Sequence, residues 1–306
     1  LIRADYPTYT ESFYYDKAGN RTRYTSSPIS PAELANPYIP TDNMAVNPYM
    51  ALLGGQGGKQ ATPTGSIEID YQYGPGNRLL EMTKRNSSGQ EELTSFEYDP
   101  QGNLLKDGRA SYTYDSFNRL QKVETFGGQI QINRYDAEGL RHEIEENNEL
   151  IQFIYSDREL IVETDTNGEL TRYIRGLGII SSDIDKARTY YHYCSDELGS
   201  ITHILDEEGQ ILNHYEYDAF GNTTICEETV SNRFRYTGQQ YDKVTEQYYL
   251  RARYYNPIIG RFLQEDSYYN DGLNLYAYCE NNPVRYIDPS GYTKVDAHDK
   301  LNGNQQ

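Results

Sequence analysis

Residues 110–120 read ASYTYDSFNRL, and stretches of this kind decide the fold. Polar and aromatic side chains alternate from Ser111 to Tyr114, so that both tyrosine rings lie on one face of an extended strand. Asp115 can accept hydrogen bonds from the backbone that follows it, and Asn118 tolerates the positive φ of a tight turn. The stretch therefore predicts one β-hairpin, made of a strand, a Tyr-Asp turn and a returning strand.

The same Tyr-Asp unit recurs along the chain. A Tyr-Asp pair is followed within a few residues by Gly or Asn at Tyr15-Asp16, Tyr98-Asp99, Tyr114-Asp115, Tyr135-Asp136 and Tyr217-Asp218. A single hairpin cannot bury its aromatic face, so neighbouring units must stack and continue the sheet. The 32 tyrosines suit such a sheet, because each ring buries a large area while its hydroxyl keeps a hydrogen-bond partner. The repeats predict an all-β protein of antiparallel hairpins; from periodicity alone, a plain β-solenoid or sandwich without a cavity fits as well.

The chain is strongly acidic, with a formal net charge of −18 and no run of Lys or Arg. A nucleic-acid-binding domain needs a basic face, so binding to nucleic acid is not expected. The excess of acid either keeps the protein soluble or forms a surface that attracts a basic partner. The sequence contains no run of about 18 apolar residues, so a membrane-spanning helix is not expected. The chain starts at Leu1 without an initiator Met, which suggests a fragment of a longer protein.

A second informative stretch runs from Tyr248 to Tyr292 and reads YYLRARYYNPIIGRFLQEDSYYNDGLNLYAYCENNPVRYIDPSGY. Its glycines permit backbone that other residues resist, and its prolines fix φ and remove donors. The landmark phrases in and just before it are Tyr236-Thr237-Gly238-Gln239, Leu250-Arg251-Ala252-Arg253, Gly260-Arg261-Phe262, Asn281-Asn282-Pro283-Val284 and Asp288-Pro289-Ser290-Gly291. Together with the Tyr-Asp units, these phrases resemble the Rhs-associated core that closes the Rhs/YD-repeat shells of bacterial polymorphic toxins and of the C component of insecticidal toxin complexes.

The resemblance implies a fold in which Tyr-rich antiparallel β-hairpin (YD) repeats spiral into part of a hollow shell, closed by an Rhs core plug. It also implies a domain order. The expected domains are a YD-repeat strand segment at 1–24, a Pro/Gly-rich irregular insertion at 25–66, a YD-repeat β-sheet shell at 67–224, the core autoprotease at 225–292, and the truncated start of a variable toxin region at 293–306. Within the insertion, a short helix at 45–53 and a glycine linker at 54–58 are expected.

A reaction is implied as well, because the family's core is an aspartic protease that cuts its own chain once. Two carboxylates within reach of each other cannot both ionise, so one holds a proton while the other activates water. By position in the motif, the catalytic residues are Asp266, Asp288 and Arg253, and the cut falls between Tyr292 and Thr293. The remaining core-motif residues are Pro289, Gly291, Gly260 and Arg261.

The match has departures and competitors. Ser267 stands where Pro usually follows the first aspartate, and Tyr292 stands where Leu is commonest. Alternative carboxylates are Glu265 and Asp271, and alternative arginines are Arg251 and Arg261. Without the rest of the core, Asp288-Pro289 would predict only a turn. No cofactor and no metal are expected, because the five histidines lack the spacing of a zinc site.

By this resemblance, the function is that of an encapsulating shell of a bacterial polymorphic toxin, secreted or on the cell surface, whose core releases a C-terminal toxin. The expected partners are the chain's own C-terminal toxin segment as passenger, a further YD-repeat shell subunit or N-terminal repeats, and an immunity protein for the toxin. The alternative is a non-catalytic cell-surface protein that binds carbohydrate or a neighbouring cell through exposed tyrosines. A self-cutting core leaves a chain end at Tyr292, whereas the alternative protein stays intact at 306 residues.

Overall fold

A computed structural model of the chain describes residues 2–6, 9–29, 65–268 and 273–301. The chain forms two compact units, Leu1–Glu97 and Tyr98–Gln306. Most of the expected insertion, with its short helix and glycine linker, lies outside the described residues. Regular structure nevertheless continues through residues 25–28, because the third strand ends only at Pro28.

The first unit contains one antiparallel sheet whose strands follow chain order. Its strands are β1 (Ile2–Asp5), β2 (Tyr9–Tyr15), β3 (Arg21–Pro28), β4 (Ile67–Tyr73), β5 (Leu79–Asn86) and β6 (Glu91–Ser95). A 3₁₀ turn at Pro75–Asn77 joins β4 to β5.

A fourteen-stranded antiparallel sheet follows, again with neighbours in chain order within the described ranges. Its strands are β7 (Glu97–Tyr98), β8 (Leu104–Lys106), β9 (Ala110–Tyr114), β10 (Leu120–Thr125), β11 (Ile130–Tyr135), β12 (Arg141–Glu146), β13 (Glu149–Ser156), β14 (Glu159–Thr164), β15 (Leu170–Arg175), β16 (Ile179–Ile184), β17 (Thr189–Ser195), β18 (Ile201–Leu205), β19 (Ile211–Tyr217) and β20 (Thr223–Glu228). The all-β prediction of antiparallel hairpins is confirmed.

Short elements complete the second unit. A four-stranded sheet contains β21 (Gln240–Asp242), β22 (Gln247–Tyr249), β23 (Tyr254–Asn256) and β24 (Arg261–Phe262). A second, two-stranded sheet pairs β25 (Tyr286–Ile287) with β26 (Val295–Asp296). The remaining elements are the helix α1 (Ala297–Leu301) and 3₁₀ turns at Tyr236–Gly238 and Cys279–Asn281.

Among the described residues, none of the helices has the length and apolar character needed to cross a membrane.

The turn that begins at Asp115 shows why the hairpins form. The Asp115 amide donates to the Arg119 carbonyl at 2.9 Å, and the Asn118 amide donates back to the Asp115 carbonyl at 3.0 Å. The Asp115 carboxylate accepts from the amides of Phe117 and Arg119 at 2.9 and 3.0 Å. The same backbone pair and the same carboxylate contact to the amide four residues on recur at Asp16, Asp99, Asp136, Asp165, Asp196, Asp206 and Asp218.

Tyrosines fill the core of the second unit. Buried rings of Tyr248, Tyr255 and Tyr278 pack with Phe262 against the fourteen-stranded sheet's last turns. The hydroxyls of Tyr248 and Tyr255 donate to the carbonyls of Gly221 and Phe220, at 2.9 and 2.7 Å. These two rings therefore remove a large apolar area from water without leaving their hydroxyls unpaired. Tyrosines packed in this way favour the shell over an open aromatic platform.

A buried ion pair joins the four-stranded sheet of the second unit to the fourteen-stranded one. The Arg141 guanidinium on β12 meets the Asp242 carboxylate on β21 through two contacts of 2.5 and 2.9 Å, and both side chains are fully buried. The guanidinium lies 4.4 Å from the centre of the Tyr249 ring on β22. Because charges in such a place are costly unless paired, this contact fixes how the four-stranded sheet sits on the repeats.

Candidate functional site

The three expected catalytic side chains come together in the second unit. Arg253 precedes β23, Asp266 follows β24 and Asp288 follows β25. The Nη2 atom of Arg253 lies 2.8 Å from Oδ2 of Asp266 and 3.8 Å from Oδ2 of Asp288. One guanidinium therefore stands between two carboxylates that are 22 residues apart in the chain (288 minus 266).

All three side chains are shielded from water: Arg253 is 6% exposed, Asp266 4% and Asp288 3%. Burial raises the pKa of the Asp288 carboxyl above its usual range, because the charged form loses hydration. The Arg253 charge and hydrogen bonds from the Ser290 and Gly291 backbone oppose this rise only in part. Asp288 is thus a carboxyl whose charged form is disfavoured by burial, and Asp266 is the one in close contact with the cation.

The guanidinium of Arg253 is oriented by further contacts. Its centre lies 3.6 Å from the centroid of the Phe262 ring, and Nη1 donates to the Leu275 carbonyl at 2.9 Å. The Asp266 amide donates to the same Leu275 carbonyl at 3.1 Å. A cation held by a ring face and a carbonyl cannot swing away, so its position relative to both carboxylates is fixed.

Asp288 starts a tight loop, residues 288–291, that we call the cleavage loop because the cut expected from the sequence lies just after it. Its Oδ1 atom accepts from the amides of Ser290 and Gly291 at 3.1 and 2.8 Å. The amide of Tyr292, the next residue, donates to the Ser290 hydroxyl at 3.2 Å. Asp-Pro and Ser-Gly pairs favour such a turn. The turn-forming and site-forming roles of Asp288 therefore coexist, since one oxygen caps the loop while the other faces Arg253.

Three consecutive carbonyls of the cleavage loop are held by three consecutive residues, 251–253. Arg251 donates through Nη1 to the Pro289 carbonyl. The amide of Ala252 donates to the Ser290 carbonyl at 3.1 Å, and Nε of Arg253 donates to the Gly291 carbonyl at 2.5 Å. The chain entering the expected cut is thereby fixed residue by residue.

The expected cleavage point lies just beyond this anchored segment. Tyr292 is 42% exposed, so its ring is not enclosed in a pocket as a substrate side chain would be. Thr293 is exposed too, and β26 begins two residues later. The carbonyl bound by Arg253 belongs to Gly291, one residue before the carbonyl of the expected Tyr292–Thr293 bond.

The other motif residues support the site from a distance. Gly260 has φ of +66° and its amide closes a turn onto Pro257 at 3.2 Å, directly before β24. Arg261 is buried, lies 5.3 Å from the Tyr276 ring centroid and donates to the Asn274 side chain at 3.4 Å.

Among the competing carboxylates, Glu265 packs against the Gly102 turn: a Cβ on Gly102 would lie 2.5 Å from its Oε2. Asp271 lies outside the described residues. Ser267, which replaces the usual Pro, is exposed. Of the alternative arginines, Arg251 donates to the Pro289 carbonyl of the cleavage loop and to Glu159, whereas the recorded ion pairs of Asp266 and Asp288 are with Arg253.

The described part of the chain contains no group of three or more His, Cys, Asp or Glu side chains arranged to hold a metal ion. Two of the histidines, His203 and His214, stack across β18 and β19 with ring centroids 4.7 Å apart.

The chain matches the family model described as teneurin YD-shell over residues 58–284. Among curated proteins, the "tRNA3(Ser)-specific nuclease WapA" of Bacillus spizizenii is 35% identical over 264 residues, which covers 76% of this chain and 11% of that protein. The "Double-stranded DNA deaminase toxin A" of Burkholderia cenocepacia is 26% identical over 283 residues, covering 76% of this chain and 20% of that protein. The chain thus spans no more than a fifth of either relative's length.

A solved structure shows the same fold. The Photorhabdus luminescens Tc holotoxin pore superposes with a TM-score of 0.60 at 18% identity, over 94% of this chain and 15% of that chain. The resemblance inferred from the Tyr-Asp units and the core phrases is confirmed by these matches.

Proposed function

The chain belongs to the teneurin YD-shell family, and from this premise we propose that it is part of a toxin-encapsulating shell whose core cuts its own chain at Tyr292–Thr293. The observation that carries the proposal is the placing of Arg253 between the buried carboxylates of Asp266 and Asp288, beside the anchored cleavage loop.

The two carboxyls have different environments, which suits them to different roles. Asp288, whose pKa is raised by burial, supplies a proton to the carbonyl oxygen or to the departing nitrogen. Asp266, ion-paired with Arg253 at 2.8 Å, accepts a proton from the attacking water. Arg253 holds both in place and fixes the chain next to the cut by donating to the Gly291 carbonyl.

In the proposed step, the water oxygen bonds to the Tyr292 carbonyl carbon and the bond to the Thr293 nitrogen breaks. One water proton goes to Asp266, and the proton from Asp288 completes the new amine of Thr293. The products are a carboxylic acid at Tyr292, which gives its remaining water proton to solvent, and a free tail that starts at the Thr293 amine. Asp266 is left protonated and Asp288 ionised. Because the substrate is the enzyme's own chain, each molecule reacts once.

The passenger of this shell would be an enzymatic toxin that follows Thr293 in the full protein. Two relatives support this class, since one is named as a tRNA nuclease and another as a DNA deaminase toxin. A toxin of this kind calls for an immunity protein in the producing cell, for export by a bacterial delivery system, and for further repeats or a second YD-repeat subunit to complete the enclosure.

The proposal is tested by single substitutions at the carboxylates. Replacing Asp266 or Asp288 with Asn keeps each chain at full length, because neither amide can exchange a proton with water or substrate. The matched control is Glu265→Gln, which removes the neighbouring carboxylate that packs on the Gly102 turn and leaves cutting at the wild-type rate. Cutting that persists in both Asn variants would exclude this pair as the catalytic groups.

A further inference from the structure

Arg251 makes three contacts that join the cleavage loop to a distant hairpin of the repeat sheet. Its Nη1 atom donates to the Pro289 carbonyl of the cleavage loop. Its Nε atom donates to the Arg158 carbonyl at 2.9 Å, and Nη2 donates to Oε1 of Glu159 at 2.5 Å. Arg158 and Glu159 lie at the turn between β13 and β14, more than 90 residues before Arg251 in the chain.

The hairpin end of this link is itself firmly built. Asp157 and Arg158 both have positive φ, of 49° and 65°, which is the geometry of a two-residue turn between paired strands. The second oxygen of Glu159 binds Arg175 of β15 at 2.5 Å, and that guanidinium lies 5.4 Å from the Phe234 ring centroid. The contact between Glu159, whose side chain is 41% exposed, and Arg175 therefore requires that β14 lie beside β15.

The other end of the link lies next to the reacting groups. Arg251 and Arg253 are separated by one residue, and both bind carbonyls of the cleavage loop. Arg251 itself has φ of +64°, a backbone state that L-residues adopt at a cost. Contacts from its side chain to the hairpin and the loop offset that cost and hold residues 251–253 in register with the loop.

We propose that Arg251 is a positioning residue that makes self-cleavage depend on the β13–β14 hairpin, so that the core cuts only after this part of the repeat sheet has formed. This inference rests on the self-cleavage proposed above. This dependence would set the order of folding and cutting. A passenger released before the sheet has formed would escape encapsulation. Neither Arg251 nor Glu159 needs to touch the reacting atoms for this control.

Charge makes the link sensitive to Glu159. Arg251 and Arg175 share this one carboxylate, one on each oxygen. Without it, the repulsion between the two guanidiniums is no longer offset, and Arg251 keeps only its Nε contact to the Arg158 carbonyl at the hairpin. Glu159→Gln therefore weakens the link, though less than Arg251→Ala, which removes the Arg158 contact as well, and it leaves every residue of the core unchanged.

The test measures the first-order rate of tail loss in folded protein for wild type, Arg251→Ala, Arg251→Lys and Glu159→Gln. We expect Arg251→Ala and Glu159→Gln to slow cutting by roughly 10- to 100-fold, as small misplacements of reacting groups do. Arg251→Lys keeps the positive charge and one donor nitrogen, so its rate should lie between the rates of Arg251→Ala and the wild type. The matched control is Arg172→Ala, which removes a cross-strand ion pair with Asp183 on β15–β16 of the same sheet and leaves cutting unchanged.

A second readout separates this inference from the self-cleavage proposal. In an Asp266→Asn background, where the chain stays whole, hydrogen exchange is followed at the Ser290 and Gly291 amides. We expect Arg251→Ala and Glu159→Gln to speed exchange at least about tenfold, whereas Arg172→Ala does not. Wild-type cutting with no slowing in the folded Arg251→Ala and Glu159→Gln variants would overturn the inference and leave the protease standing. A wild-type chain that is never cut would overturn the self-cleavage proposal. If hydrogen exchange at Ser290 and Gly291 were also unchanged in the Arg251→Ala and Glu159→Gln variants, the proposed role of Arg251 would be overturned as well.

Discussion

Gly291 is the residue whose replacement the cleavage loop tolerates least. Its φ is +76°, and a Cβ would lie 2.5 Å from the Leu250 carbonyl oxygen and 2.9 Å from the Arg253 amide nitrogen. Both obstacles are backbone atoms, which cannot move aside as the end of a flexible side chain can. Glycine at this position thus lets the loop lie directly against residues 250–253, where its carbonyls are bound.

Gly291→Ala is expected to abolish self-cleavage and to lower the free energy of unfolding by more than about 1–2 kcal/mol, the cost of the positive φ alone. The control is Gly128→Ala in the β10–β11 turn, where φ is +85° but nothing lies within 4 Å of an added Cβ. Chemical denaturation compares the two variants. A Gly291→Ala protein that cuts normally, or that loses no more stability than Gly128→Ala, would contradict this description of the loop.

The raised pKa of Asp288 predicts how self-cleavage depends on pH. Below this pKa the carboxyl holds the proton it must donate, and above it that proton is gone. The rate of tail loss should therefore fall as pH rises through the raised pKa, over a pH window that lies above the usual aspartate pKa of about 4. Rates are measured after rapid transfer of freshly folded protein, with circular dichroism showing that the fold is kept. A rate that climbs steadily across that window would assign the proton to another group.

At the scale of elements, the Arg141–Asp242 pair decides how the four-stranded sheet docks on the repeats. Arg141 also donates to the side chains of Gln240 and Tyr254, at 3.0 Å each, so one buried cation organises β21 and the start of β23. Neither side chain of the ion pair reaches water, so salt and solvent have little effect on its strength. The two charges are paired only when β12 and β21 lie together, so we expect any other packing of these two sheets to be disfavoured.

Asp242→Ala leaves the Arg141 charge buried without its anion, so we expect a loss of about 3–5 kcal/mol in the free energy of unfolding. The matched control is Asp183→Ala, whose partner Arg172 is 47% exposed and keeps a second contact to Asp185. That change should cost under about 1 kcal/mol. Urea denaturation measures both. Equal losses in the two variants would show that burial of the Arg141 pair has no special weight.

The repeat elements were predictable because their turns are local. An aspartate and the residues up to four positions later make all the hydrogen bonds of such a turn, so a short phrase is enough to find it. Asp165, Asp196 and Asp206 form the same turn without a preceding tyrosine, which shows that aspartate, not the Tyr-Asp pair, is the constant part. The link from Glu159 to Arg251 could not be predicted, because it depends on which hairpin the core lies against.

At the scale of the whole molecule, the chain combines an acidic repeat sheet with a core in which Arg141 and Arg253 are each paired with a buried aspartate. The net charge of −18 is compatible with solubility and with attraction of a basic passenger. The residues proposed for cutting came from the core phrases, and the structure brings Arg253, Asp266 and Asp288 to one place. The exposed Tyr292 and the bound Gly291 carbonyl were not predictable, since they depend on how residues 251–253 pair with the loop.

Self-cleavage is tested most directly by the intact mass of the purified protein beside its Asp288→Asn variant. We expect the wild type to lose 14 residues (306 minus 292) and to end at Tyr292, while the variant keeps all 306. A chain ending at Gly291 would move the cut to the carbonyl that Arg253 binds. Folded wild type and variant that both remain at 306 residues would contradict the account and leave the core as a structural plug.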